Sequence, residues 1–528
     1  MDTNYTQGSV LADPTPGRMP YFAEQLQWIG LALFCYCVAR AHIQSITIDE
    51  ADTYLVWVSR TDPSHWLAAS NNHILNSLLM RFSTTVFGVN HLSIRLPALL
   101  GCAGYLFGCL RLCRVVFTRP ASRLVVYLAL TCNPFILDYL IAARGYGLAL
   151  ACLVFQVLCG LHIMVKARLE RAPHFGGYLY GCSVFSALGF AANFSFAIVF
   201  TVALMIPLAA ALCRQRTIRI LLQAIIPACA IVLFMCASAL TNWNTIELIY
   251  GAHSLSETFH SIVRSSFDEL NPYLVNPLLL RSLRWLPAPL ALALFVCGSF
   301  MLGAMVLLKR RTSDTANAWL WNCCLYSCGI LGGALLGHAM LHAFFGVLLP
   351  FERTALFIVF LITVIIGCIL EVSQDMRWPL MRAGTTVVRT LLVVCVGYFL
   401  LCARLTYFRE WRYDADTRSV YDRLAYLYHR YGIADVPSHW RYNSCLSFYA
   451  SSSGREALRL VDRNTPYPKG RRAYVLYWPE DEEFFINEKL IAYYRGERSD
   501  VVIAVAPNYK AHAWQSSPAQ IGDGLHPR

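Results

Sequence analysis

The sequence predicts a polytopic α-helical membrane protein of about eleven transmembrane helices, followed by a small C-terminal extracytoplasmic α/β domain. Three observations predict it. The chain is 57% hydrophobic and only 14% charged over 528 residues, whereas a soluble protein carries about 25% charged residues. Apolar runs recur along residues 26–404, each long enough to cross a hydrocarbon layer of about 30 Å as a helix. After residue 405 the composition changes to a soluble type. A spanning segment must satisfy its backbone polar groups internally, and the alternating pattern of barrel strands is absent, so a helical bundle is the form that remains.

Taken in order, residues 1–25 are polar and contain proline, and are expected to be a cytoplasmic N-terminal segment. The first apolar run starts near Leu26 without a small-residue cleavage site, so it reads as a retained signal-anchor helix. Spans are expected at 26–43, 95–110, 124–141, 147–165, 176–192, 194–212, 218–240, 288–308, 319–341, 353–370 and 385–404. Alternate short loops carry Arg111/Arg114/Arg119/Arg123, Lys166/Arg168/Arg171, Arg214/Arg216/Arg219, Lys309/Arg310/Arg311 and Arg377/Arg382/Arg389. All lie on one side of the eleven-span scheme, which the positive-inside rule makes cytoplasmic. Loops 44–94 and 241–287 and the tail from residue 405 then face outward. The net charge of +12 is thereby explained as topology. Its basic residues are dispersed, without a basic stripe or stacking aromatics, so no nucleic-acid partner is expected. Most of the 20 cysteines lie in apolar segments, where they act as small hydrophobes. The tail has only Cys445, which excludes a disulfide framework there.

The transmembrane domain is thus placed at 26–404, the extracytoplasmic domain at 405–511 and a disordered tail at 512–528. In the second of these, Arg418–Tyr428 reads as an amphipathic helix, Arg472–Trp478 and Asp500–Val505 as strands, and 481–495 as a helix between them. It has no nucleophile motif. Packing against the bundle is its default role, with a supporting or acceptor-binding role as the alternative.

Candidate chemistry gathers on the outward side. Asp49 and Glu50 follow the first span directly, in Thr47-Ile48-Asp49-Glu50-Ala51-Asp52-Thr53-Tyr54. A carboxylate at the membrane boundary suits a general base for a lipid-borne substrate. In the same loop, Ile74, Leu75, Leu78, Leu79 and Phe82 share one helical face, with His73, Asn76 and Ser77 toward the other. This fits a helix lying in the interface, and equally one packed on its neighbours. Arg95, Arg144, Arg264 and Arg353 stand at outer span ends or in the outer loop, against the charge rule. A guanidinium binds phosphate oxygens through its fork of donors, and a convergent pair would suit a polyprenyl phosphate or pyrophosphate. Against this stand snorkelling to headgroups, an Arg353–Glu352 ion pair, and neutralisation of Arg144 by Asp138. His253, Glu257 and His260 match no tight zinc spacing, so no metal site is expected. No P-loop or dinucleotide fingerprint occurs, which disfavours an ATP-driven pump.

These residues resemble a family. The ordered set is Asp49-Glu50-Ala51-Asp52-Thr53-Tyr54, His73 before an amphipathic helix, Arg95-Leu96-Pro97-Ala98-Leu99-Leu100-Gly101 opening the second span, and Ala143-Arg144-Gly145-Tyr146 opening the fourth. It resembles the C-type integral-membrane glycosyltransferases that use polyprenyl-phosphate sugars, within them the group of protein O-mannosyltransferases, the lipid A aminoarabinose transferase and rhizobial lipopolysaccharide transferases. The likeness covers roughly the first 170 residues; beyond it only hydropathy and topology agree. The chain departs from the family in having His73-Ile74-Leu75 where members commonly have His-Pro-Pro, and Ala142-Ala143 where an acidic residue often precedes the arginine.

The resemblance implies transfer of a sugar from a polyprenyl-phosphate carrier to a lipid, glycan or protein acceptor on the extracytoplasmic face, in a bacterial inner membrane facing the periplasm. Asp49 is the implied base, the first acidic position of the pair; Glu50 could instead be the base, orient Asp49, or cap a helix. His73, Arg144, Tyr146, Arg264 and Arg353 are the implied donor- and phosphate-binding residues, and loop 241–287 an implied lid. No cofactor is required, although some members use a divalent cation. The rival readings are a ligase moving a whole lipid-linked glycan, a transporter or flippase for one, and a lipid-binding scaffold. Charges within the spans are nearly absent, which favours an enzyme over a transporter.

Overall fold

The computed structural model describes residues 20–62, 66–67, 71–242, 250–267, 270–271, 276–283, 285–307, 315–373, 379–453, 459–460 and 467–507. The expected disordered tail and most of the N-terminal segment lie outside these residues. Helix α1 (Pro20–Ile43) leads into a short α2 (Ile48–Asp52), then α3 (Ile74–Phe87) and the long α4 (His91–Val116). The next elements are α5 (Pro120–Thr131), α6 (Pro134–Tyr139), α7 (Tyr146–Leu169), α8 (Gly176–Ala192), α9 (Ala197–Arg214) and α10 (Ile218–Thr241). They are followed by α11 (Leu255–Ser266), α12 (Pro277–Leu283), α13 (Pro287–Leu307), α14 (Thr315–Phe345), α15 (Leu356–Ser373) and α16 (Pro379–Leu401).

Among the described residues, nine helical segments are long and apolar enough to cross a membrane. Each of the eleven expected spans coincides with helix, and the two extra ones are the shorter α8 and the pair α5–α6. The third expected span, 124–141, is not continuous. It breaks at Asn133-Pro134, where proline has no N–H to extend α5 and instead opens α6. Following the chain, the ends that carry Asp49, Arg144, Arg353 and residue 405 meet at one end of the bundle. At the opposite end the backbone N–H groups of Thr118 and Arg119 donate to Glu371 at 2.9 and 3.0 Å, tying the α4–α5 turn to the end of α15.

Two glycines explain the close-packed motifs. Gly145 has φ +75°, and a Cβ there would stand 2.0 Å from the Ala192 carbonyl oxygen. Only glycine lets the chain turn sharply into α7 at that point. On α4, a Cβ at Gly101 would lie 2.5 Å from the Gly147 backbone, so the two helices touch main chain to main chain. Helix α3 buries its polar side, including Asn76, Ser77, Ser83 and Thr84, and leaves Phe82, Val86 and Phe87 exposed. Its Asn76 amide donates to the Ala143 carbonyl at 2.8 Å, which anchors it beneath the turn into α7.

The chain after residue 405 forms α17 (Thr417–Tyr431), β1 (Asp435–Val436), α18 (Trp440–Ser452), β2 (Arg459–Leu460), β3 (Ala473–Tyr477), α19 (Trp478–Asn487), β4 (Ile491–Arg495) and β5 (Val501–Val505). β1 and β2 pair in parallel, while β3, β5 and β4 make an antiparallel sheet in that order, Ala473 and Ile491 both lying opposite Val505. The expected helix over 481–495 is shorter than its pattern suggested. Lys489, at φ +52°, stops it, and Ile491–Arg495 becomes an edge strand instead. Phe408, Trp411, Val420, Leu424 and Leu446 join the same buried cluster as Ile46, Ile48 and Ala51. The C-terminal region therefore packs directly on the segment that carries Asp49.

Candidate active site

Helix α2 is built by a capping box. Thr47 accepts from the Glu50 N–H at 3.3 Å, and Glu50 accepts from the Thr47 N–H at 3.0 Å. This local closure decides how the two acidic residues differ. Glu50 is wholly buried and holds Arg95 by two bonds, Nε to Oε1 at 2.9 Å and Nη2 to Oε2 at 2.7 Å. It also accepts the Ala143 N–H at 2.9 Å, so α2, α4 and the turn into α7 meet on one carboxylate. Arg95 spends its remaining donors on the carbonyls of Ala41, Gln44 and Ser45 at 2.7–2.9 Å. Burial would raise the Glu50 carboxyl, but Arg95 overrides it and keeps it ionised. This wholly buried carboxylate caps α2 and ties it to α4 and to the turn into α7.

Asp49, one residue earlier, turns the other way and keeps 21% of its side chain exposed, against none for Glu50. Its Oδ2 accepts from Arg353 Nη1 at 2.9 Å and lies 3.6 Å from Arg144 Nε. Burial alone would raise its carboxyl; the charges of Arg144 and Arg353 outweigh that and hold it below the usual range. Just after it, Thr53–Val58 widens into a π-helical turn, a local irregularity frequent at functional sites. There Thr53 Oγ1 accepts from Arg144 Nη1 at 3.0 Å, while Asn71 Oδ1 accepts from Nη2 at 3.1 Å. Arg144 Nε is buried and has no hydrogen-bond partner among the described residues.

Arg353, in the short 3-10 turn Glu352–Ala355, lies over the Tyr250 ring at 4.7 Å and the Trp411 ring at 6.0 Å. It does not pair with its neighbour Glu352, which takes Tyr250 and Arg409 instead, at 3.0 and 3.5 Å. His73 stands at the N-terminus of α3 with its ring centroid 5.6 Å from that of Tyr146. Burial, and then the charges of Arg144 and Arg353, push its imidazole well below the usual histidine range, so it is neutral at physiological pH. Tyr146 is buried in an aromatic wall with Tyr139 and Phe196, at 5.0 and 6.3 Å, behind the charged groups.

The structure thus brings Asp49, His73, Arg144, Tyr146 and Arg353 together. Arg264 is not among them: it is exposed on α11. The same helix turns Ser261 and Ser265 inward, to accept from the Glu352 N–H at 3.0 Å and from Arg409 Nη1 at 2.8 Å. Nor does Asp138 neutralise Arg144. It is buried between Arg40 and Arg404, at 2.6 and 2.8 Å, and locks α1 to the start of the C-terminal region. The segment expected to act as a lid is bridged to residues before Arg353, Ala252 and Leu349 exchanging backbone bonds of 2.8 and 2.9 Å. Residues 243–249 of that loop lie outside the described ones.

Sequence reasoning missed Glu410. Its Oε1 accepts from Arg353 Nη1 at 2.8 Å, and its Oε2 accepts from the Tyr139 hydroxyl. The signal was present: Arg409-Glu410-Trp411 stands just past the last span, as Asp49-Glu50 stands just past the first. With Phe135, Asp138 and Tyr139 these residues line a small cavity. Among the described residues, no three histidine, cysteine, aspartate or glutamate side chains converge as metal ligands.

No protein-family model and no curated relative matches the chain. Among solved structures, it is similar to ArnT from Cupriavidus metallidurans in the apo state, at 13% identity, with a TM-score of 0.41 over 92% of this chain and 97% of that one. The crystal structure of the same ArnT bound to undecaprenyl phosphate gives 12% identity, with the same TM-score and coverage.

Proposed function

We propose that this protein is a glycosyltransferase that moves a sugar from a polyprenyl-phosphate carrier to an acceptor at the extracytoplasmic face of the membrane, with Asp49 as general base. One observation carries the reading: a partly exposed carboxylate at the membrane boundary lies between two guanidiniums, at 2.9 and 3.6 Å. A phosphate leaving group needs positive charge, and an acceptor hydroxyl or amine needs a base. Asp49, Arg144 and Arg353 supply both within one cluster.

In this mechanism the acceptor oxygen or nitrogen attacks the anomeric carbon as the bond from that carbon to the phosphate oxygen breaks. The acceptor proton passes to Asp49, and the electron pair stays with the carrier phosphate. Arg144, whose Nε makes no hydrogen bond among the described residues, and Arg353 stabilise the charge that develops there. His73, neutral and flanking both arginines, is suited to a hydrogen bond to a sugar or phosphate oxygen. A single displacement by the acceptor, with Asp49 as its base, inverts the anomeric centre. Transfer is favoured over transport by the near absence of charged residues within the spans. The resemblance of the first 170 residues supports a bacterial inner-membrane enzyme that needs no nucleotide.

The test is mass spectrometry of lipid carriers and envelope glycans in cells lacking the gene, complemented with the wild type or Asp49→Asn. The expected result is that one sugar leaves an acceptor, the glycosylated carrier accumulates, and only the wild type restores the pattern. The missing mass names the sugar. A general base contributes about 10²–10⁴-fold, so wild-type turnover by the purified Asp49→Asn protein would falsify the assignment.

A further inference from the structure

Arg353 Nη1 carries two hydrogens, and both are taken, one by Asp49 Oδ2 at 2.9 Å and one by Glu410 Oε1 at 2.8 Å. A donor phosphate that binds this nitrogen has to displace one of the two carboxylates. The two are not equally held. Asp49 is also flanked by Arg144 at 3.6 Å, whereas the other Glu410 oxygen meets only a neutral group, the Tyr139 hydroxyl. With Glu410 ionised, the charges of Asp49, Glu410, Arg144 and Arg353 cancel. With Glu410 neutral or displaced, the cluster is left with one net positive charge to receive a phosphate.

We propose that Glu410 is an internal competitor of the carrier phosphate for Arg353, a carboxylate that occupies this guanidinium at rest, yields it to the donor, and returns to it as the product carrier leaves. This deepens the reading of the cluster as a phosphate site and rests on it. The groups that face Glu410 agree with a carboxylate easily neutralised. Besides Arg353 they are Tyr139 and Asp138 on α6, Arg409 and Trp411 beside it in the chain, and Asp49 across the guanidinium. Arg40 and Arg404 are engaged with Asp138. Burial, and then the charges of Asp49 and Asp138, push the Glu410 carboxyl well above the usual range. Glu410 gives up its charge at a pH where Asp49 keeps its own. The role is one of positioning and competition: Glu410 touches the group that binds the substrate and not the reacting atoms.

The experiment measures binding of polyprenyl methyl phosphate, a diester whose single charge is constant between pH 5.5 and 8, to the full chain in detergent. At pH 7.5, Glu410→Gln is expected to bind this probe at least roughly tenfold more tightly than the wild type, the lower end of what one like charge at this range does. The same variant is expected to lower the donor KM without raising kcat, because product carrier is held as well. A purely structural Glu410 predicts the opposite, weaker binding or none. The second measurement needs no variant: wild-type affinity for the diester is expected to rise as pH falls, with Asp49 ionised and His73 neutral throughout. Equal binding by wild type and Glu410→Gln, or a flat wild-type pH series, overturns the proposal and leaves the phosphate site standing. Failure of both proteins to bind the diester at any pH overturns the phosphate site and the proposal together.

Discussion

At the scale of the residue, two adjacent carboxylates of nearly the same chemistry have opposite fates because α2 turns one inward and one outward. Glu50 accepts four hydrogen bonds from Arg95, Ala143 and Thr47, while Asp49 meets guanidiniums at the edge of the cluster. The pH dependence follows from the neighbours. Arg144 and Arg353 hold Asp49 below the usual carboxylate range against its burial, so Asp49 is ionised above an ordinary carboxyl value of about 4. The same two charges, after burial, hold His73 well below its usual value of about 6.5. A pH profile of kcat on a saturating donor is therefore expected to lack a limb between pH 6 and 7 assignable to His73. Replacing His73 with Asn should lower the rate without changing the shape of the profile; loss of a limb near pH 6.5 in that variant would contradict the neutral imidazole.

At the scale of the element, α2 is too short to hold itself. Five residues cannot sustain a helix by propensity, and its placement comes from the fully buried Glu50–Arg95 pair joining three parts of the bundle. Breaking such a pair while leaving its partner charged is costly, about 3–5 kcal/mol. Glu50→Gln is therefore expected to lower the thermal midpoint of the detergent-solubilised protein markedly, and to reduce transfer as a consequence. Asp49→Asn, removing a partly exposed charge that two arginines share, should leave that midpoint close to wild type. If the two variants exchanged these behaviours, the roles given to them would be exchanged too. Much of this was legible in the sequence. Helical segments announced themselves by apolar length, and Asp49, Arg144 and Arg353 stood out as charges at membrane boundaries. What a linear pattern does not contain is the choice of partner. Asp138 lies within two turns of Arg144, yet pairs with Arg40 on the first helix and Arg404 just past α16. Arg264 and Ser265 are adjacent, and only the rotation of α11 decides that the serine faces inward.

At the scale of the whole molecule, the C-terminal region is part of the scaffold that positions Asp49, and its distance in sequence hid this. The backbone entering α2 is held from residues more than three hundred positions away. Ser45 Oγ donates to the Ala415 carbonyl at 2.8 Å, the Ile46 N–H donates to the Tyr449 hydroxyl at 3.0 Å, and Cys445 Sγ donates to the Ile46 carbonyl at 3.2 Å. The Ile48 N–H, the residue before Asp49, donates to Asp414 Oδ2 at 2.8 Å. Asp414 is buried, and burial first, then the nearby Asp49 and Glu50, push its carboxyl well above the usual range. A neutral Asn keeps the acceptor oxygen, so Asp414→Asn is expected to retain most activity and stability. Asp414→Leu removes it and leaves the Ile48 N–H buried without a partner, at about 1–3 kcal/mol. Because that N–H adjoins Asp49, the proposed base, and not Arg144 or Arg353, the proposed phosphate ligands, the loss should fall on kcat, with carrier binding little changed. The same binding and turnover measurements on the two variants separate this from general unfolding: a drop in both kcat and carrier affinity for Asp414→Leu, or an equal drop for Asp414→Asn, would mean that the C-terminal region merely packs on the bundle and does not aim Asp49.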